Sequence, residues 1–115
     1  MLHNHNITHY DIKADNILLD DDHIVLTDFG ESNIFVNEED EHCVRNRGTE
    51  YIQSPEMLTL TINSKKEQDT YDRRKKVGTT RSSDVWSLGC LLFEILTGEL
   101  LFYKKKWLEF YLQVT

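Results

Sequence analysis

At 115 residues the chain is long enough to bury one domain-sized core. Its 39% hydrophobic and 29% charged residues exclude the collagen-like, disordered and membrane classes. The net charge of −7 is uneven: residues 1–58 carry 13 acids against 3 bases, and residues 59–115 carry 7 acids against 10 bases, so nucleic acid is not an expected partner.

No apolar run reaches bilayer length, so no membrane segment is expected. Met1-Leu2-His3-Asn4-His5 has neither the basic patch nor the apolar stretch of a signal peptide. Cys43 and Cys90 are far apart and form no metal-type pair, which reads as two reduced thiols in an intracellular, cytoplasmic protein. His3-Asn4-His5 raises a metal site, but no second cluster with ligand spacing accompanies it.

In chain order, Ile17-Leu18-Leu19 and Ile24-Val25-Leu26 read as two short strands around the acidic turn Asp20-Asp21-Asp22. Residues 30–50 are polar and aperiodic and read as a long loop, a kind that is uncommon unless functional. Residues 59–82 read as a second loop or an insertion. The clearest helix follows, with Ser82 or Ser83 as N-cap, Asp84 in the first turn and Gly98 as its stop. It is apolar almost all round from Val85 to Leu96, which predicts a buried helix. The stretch Trp107 to Leu112 predicts another helical turn or two.

Asp11, Lys13 and Asn16 place a carboxylate, an ammonium and an amide just before the first strand, and Asp28-Phe29-Gly30 stands just past the second. An amide and an acid on opposite flanks of a hairpin can hold magnesium against phosphate oxygens. Any one of these residues alone is an ordinary polar turn residue.

Taken together, His9-Tyr10-Asp11-Ile12-Lys13-Ala14-Asp15-Asn16 and Asp28-Phe29-Gly30 are similar to the catalytic and metal-binding loops of eukaryotic protein kinases. Gly48-Thr49-Glu50-Tyr51-Ile52-Gln53-Ser54-Pro55-Glu56 resembles the end of that family's activation segment. Asp84-Val85-Trp86-Ser87-Leu88-Gly89 resembles the start of its central helix. The resemblance implies an α+β fold, a fragment of the C-terminal catalytic lobe that is mainly helical with a short β-hairpin. It divides the partial kinase domain 1–115 into catalytic loop, hairpin and metal loop (1–30), activation segment (31–58), insertion (59–82), buried central helix (83–98) and the start of a further helical region (99–115).

The same resemblance implies a serine/threonine kinase with ATP and Mg2+, acting on a protein substrate. Asp11 would accept or orient the proton of the substrate hydroxyl, and Lys13 would neutralise charge on the transferred phosphoryl group. Asn16 and Asp28 would ligate magnesium, and Leu18 would lie under the adenine ring. Thr49 would tie the substrate loop to Asp11 and Lys13. His9 and Phe29 would stack in the core, with Gly30 completing the metal loop. Asp84 would accept hydrogen bonds from the catalytic-loop backbone, and Glu56 would pair with a downstream arginine. Asp15 hints at substrates with basic residues.

Several positions depart from the family pattern. Tyr10 stands where arginine is usual and cannot supply that residue's bidentate grip on a phosphate. Residues Asn33 to Gly48 contain no serine or threonine, so loop phosphorylation is not the expected switch. Ser54 replaces alanine, and Ile52 stands where tyrosine is usual. The 28 positions from Glu56 to Asp84 are about twice the expected gap. Neither a glycine-rich phosphate loop nor a strand lysine with its glutamate is present in these residues, so the chain by itself is expected to be inactive and poorly soluble. The alternative is a non-catalytic kinase-derived remnant or binding module. The oligomeric state is not legible from the sequence.

Overall fold

Strand β1 (Ile7–Thr8) follows a single 3-10 turn at Leu2–His5, and β2 (Ile17–Asp20) and β3 (His23–Leu26) form an antiparallel hairpin. The computed structural model describes residues 2–35, 47–63 and 79–115. The hairpin register pairs Ile17 with Leu26, Leu18 with Val25, Leu19 with Ile24 and Asp20 with His23. The turn is therefore the two residues Asp21-Asp22 rather than three, and Asp21 takes a positive φ of 50° that aspartate tolerates better than most residues.

The expectation of one long loop over 30–50 is corrected at both described ends. Strand β4 (Asn33–Ile34) pairs antiparallel with β1, Ile7 opposite Ile34 and Thr8 opposite Asn33, and the Phe35 N–H extends the pairing to the Asn6 carbonyl at 2.9 Å. Glu50–Ile52 forms a 3-10 turn. Residues 36–46, including Cys43, lie outside the described residues.

Helix α1 (Pro55–Asn63) corrects the start of the expected insertion, because Thr59 and Leu60 are helical and Leu60 is buried. Proline suits the first helical position, where its missing N–H costs nothing. The Ser54 hydroxyl accepts from the Met57 N–H at 3.3 Å, so the serine that replaces alanine satisfies one of the orphan donors of the helix start. The rest of the expected insertion up to residue 78 lies outside the described residues.

Helix α2 (Ser82–Thr97) ends at Gly98, whose φ of 74° and N–H to the Glu94 carbonyl at 2.7 Å make the stop that the glycine predicts. Neither Ser82 nor Ser83 is its N-cap. Arg81 holds that position, and the Thr80 hydroxyl accepts from the Ser82 N–H at 3.3 Å. The helix is not buried all round in this chain. Ser83, Asp84, Ser87, Cys90 and Leu91 are buried, whereas Val85, Leu88, Leu92, Ile95 and Leu96 are exposed. Apolar residues all round a helix state that it tolerates burial, and only one side meets packing partners here.

Helix α3 (Trp107–Val114) places Phe110 and Val114 against Leu58 of α1, with Tyr51, Trp86, Phe102 and Tyr111 packed around them. Trp86 and Phe102 stack at 5.8 Å. A second apolar cluster joins Tyr10, Phe35, Met57 and Leu60. Helix α1 thus contributes to both clusters, which fixes the chain just after residues 47–54. No helix among the described residues is long and apolar enough to cross a membrane.

Candidate active site

The loop His9–Asn16 lies between β1 and β2 and is irregular up to a 3-10 turn at Ala14–Asn16, yet His9, Tyr10, Asp11 and Asn16 are buried. Irregular buried backbone needs partners for its polar groups. Asp84, from the first turn of α2, supplies two: it accepts from the His9 N–H and from the Tyr10 N–H, both at 2.8 Å. His3 Nε2 meets the same carboxylate at 2.9 Å, and Arg81 donates to the His3 carbonyl at 2.9 Å. No local signal points to His3, because its partner is 81 positions away.

His9 has no exposed surface, and its neighbours fix its tautomer. Nδ1 accepts from the Asp11 N–H at 3.1 Å, so Nε2 carries the hydrogen given to the Thr27 carbonyl at 2.9 Å. The ring meets Phe29 edge-on at 4.9 Å. One side chain therefore fixes Asp11 on one side and the end of β3 on the other.

Around Asp11 the expected residues converge. Thr49 donates to Asp11 Oδ1 from its hydroxyl at 2.7 Å and from its N–H at 3.1 Å. Lys13 Nζ donates to the same hydroxyl at 2.8 Å and stands 3.9 Å from Asp11 Oδ2. Because the threonine hydroxyl accepts from the ammonium while donating to the carboxylate, the three groups form a directional chain. A carboxylate and a cation held about 4 Å apart can take up a proton and stabilise negative charge at one place.

Asn16 Nδ2 donates to the Asp11 carbonyl at 2.8 Å and to Asp11 Oδ2 at 3.2 Å, which leaves the amide carbonyl as the group able to meet a cation. The Asn16 main-chain carbonyl accepts from the Thr27 N–H at 2.8 Å, bringing Asp28 to the same end of the hairpin. Asp28 is exposed, has φ 57°, and accepts the Gly30 N–H at 3.2 Å. No three His, Cys, Asp or Glu side chains group as a metal site among the described residues. The Asn16 and Asp28 pair instead offers two hard oxygens, a donor set that fits magnesium, which keeps waters and phosphate oxygens as its other ligands. Leu18 is exposed on the hairpin, opposite Val25. Glu56 is exposed and has no ion pair among the described residues.

Sequence reasoning missed the role of Gly48. Its φ is 86°, and a Cβ there would fall on the Tyr10 carbonyl oxygen, far inside contact distance. Only glycine lets residues 48–49 lie against the His9–Asn16 loop closely enough for Thr49 to reach Asp11. The Gly48 N–H goes to Glu31 at 3.2 Å, and Gln53 Nε2 holds the Arg47 and Gly48 carbonyls at 2.7 and 3.1 Å. Ser87 of α2 donates to the Ile52 carbonyl at 2.8 Å, anchoring the far end of this stretch. Burial raises the Tyr51 pKa, with the negative charges of Asp15, Glu94 and Asp11 adding to the effect.

Comparison with known proteins returns the family described as protein kinase domain over residues 1–114. A probable serine/threonine-protein kinase of Dictyostelium discoideum is 43% identical over 133 residues, covering 99% of this chain and 5% of the relative. Human ribosomal protein S6 kinase alpha-4 is 42% identical over 98 residues, covering 84% and 11%. Human 3-phosphoinositide-dependent protein kinase 1 is 33% identical over 99 residues, covering 84% and 15%. The chain thus spans a small part of each of these relatives.

Proposed function

The chain belongs to the protein kinase family, and from that premise we propose that the protein carrying it transfers the terminal phosphoryl group of ATP to serine or threonine hydroxyls of a protein substrate inside the cell. The observation that supports this most directly is the chain of donors from Lys13 through Thr49 to Asp11. In this reading Asp11 orients the substrate hydroxyl and takes its proton as the oxygen–phosphorus bond forms. The bond between the terminal phosphorus and its bridging oxygen breaks, and ADP leaves with the electron pair. Lys13 places its charge where the transferred group gains negative character, which is where such reactions gain most from the protein. Thr49 holds both residues and the adjoining substrate loop in one geometry.

Asn16 and Asp28 would hold magnesium, which when bound offsets charge on the phosphate oxygens. Leu18 supplies an exposed apolar surface suited to an adenine ring. Asp15 is exposed on the loop that carries Asp11, Lys13 and Asn16, and it favours substrates carrying basic residues. Residues 1–115 alone contain no glycine-rich phosphate loop, so we expect them not to phosphorylate by themselves.

The test is phosphotransfer from ATP by the gene product as the cell makes it, beside its Asp11→Asn variant. Loss of the proton acceptor lowers kcat by about 10²- to 10⁴-fold with the fold intact. Equal rates for the two proteins refute the role of Asp11. Absence of transfer in the unsubstituted protein favours the non-catalytic reading.

A further inference from the structure

Tyr10 has three structural relations that the reaction as described above does not use. Its ring is buried, 3% exposed, in a cluster with Phe35, Met57 and Leu60. Its hydroxyl donates to the Thr79 carbonyl at 3.2 Å. Its backbone has φ 65°, an uncomfortable value for an aromatic residue, and is held there by Asp84 on the N–H side and by Gly48 against the carbonyl. The Arg47 N–H meets Met57 Sδ at 3.3 Å, so the cluster that holds the Tyr10 ring also receives the start of the Gly48–Ile52 stretch.

We infer that Tyr10 is a positioning residue: its buried ring fastens Phe35, just past β4, and α1 to the catalytic loop, and thereby holds Thr49 against Asp11. The aromatic side chain does this by packing. A side chain adjacent to Asp11 in sequence thus acts on it indirectly, through Met57, Arg47 and Gly48, and the strained φ persists because partners on both sides of Tyr10 over-determine it. The inference rests on the kinase reading for its consequence in catalysis, but its geometric content can be measured without activity.

The experiment is amide hydrogen exchange on the gene product, with Tyr10→Asn and Tyr10→Phe. Asparagine accepts the positive φ and removes the ring, so backbone strain is not the variable. The reporter is the Thr49 amide, which donates to Asp11; the control is the β2–β3 ladder. Tyr10→Asn is expected to speed Thr49 exchange about tenfold or more while the ladder is unchanged, and Tyr10→Phe to retain slow exchange. Where transfer is measurable, Tyr10→Asn lowers kcat and leaves KM for ATP unchanged, because Lys13 and Thr49 lose register and the nucleotide surface does not. Unchanged Thr49 exchange in Tyr10→Asn overturns the inference, as does an equal acceleration of the ladder, which marks general destabilisation. The expected exchange pattern in a protein without phosphotransfer upholds the positioning role and refutes the kinase reading.

Discussion

The loop His9–Asn16 and the hairpin Ile17–Leu26 follow one another in the chain, yet they are held in opposite ways. The hairpin is regular, with four paired positions on each strand, and its Leu18, Leu19, Ile24 and Val25 are all exposed. The loop has little regular structure, and four of its eight residues are buried. A backbone ladder satisfies its own polar groups and needs no distant residue. An irregular buried loop must borrow partners, and this one takes them from Thr27, Thr49 and Asp84. The side chains proposed to carry the chemistry sit on the element whose geometry other segments dictate, and the hairpin serves as the frame that brings Asn16 and Asp28 to one end.

The largest expected effect on this contrast comes from Asp84→Ala. It orphans the buried His9 and Tyr10 N–H groups, each costing roughly 1–3 kcal/mol, so a loss of about 3 kcal/mol or more in urea unfolding is expected. Exchange at the loop amides should rise well before that of the β2–β3 ladder. If ladder and loop open together at every denaturant concentration, the two regions form a single unit and the contrast fails.

Gly48→Ala comes next. The new methyl group cannot share space with the Tyr10 carbonyl, and alanine at φ 86° adds strain of about 1–2 kcal/mol. The stretch at 48–49 must withdraw from the loop, so phosphotransfer falls by about tenfold or more while the melting temperature drops less than in Asp84→Ala. Equal activity at reduced stability would show that the Thr49 contact with Asp11 is not what sets the geometry.

How much of this was legible in the sequence depended on the range of the interaction. The hairpin announced itself through two apolar β-rich runs and an acidic turn, a signal contained in ten residues. The α2 helix and its Gly98 stop were equally local. The convergence of Asp11, Lys13 and Thr49 became legible only through resemblance to a family, since nothing in residues 9–16 alone points 36 positions ahead. The β1–β4 pairing was missed because two-residue strands have no period to detect. Helix α1 has no counterpart among the elements read from the sequence, because Thr59 and Thr61 make the stretch beyond Leu58 look polar although Leu60 is buried. An apolar pattern also does not say which face finds a partner, and so α2 was expected to be buried all round. His3 on Asp84 was beyond reach for the same reason of distance.

The smallest effect is expected at the hairpin turn. Asp21 has φ 50° and is exposed, and it pairs with nothing outside its own hairpin in the register. In Asp21→Gly the folded turn is relieved of a mild left-handed penalty, while the unfolded chain gains conformational freedom. The two terms oppose one another, and stability should change by no more than about 0.5 kcal/mol in either direction. Thr49 exchange should not change at all, because the hairpin reaches the loop through Asn16, Thr27 and His9 at its open end, away from the turn. A change at Thr49 comparable to that in Gly48→Ala would mean that strain travels along the strands into Asp11. The hairpin would then be a participant in setting the site rather than a frame for it.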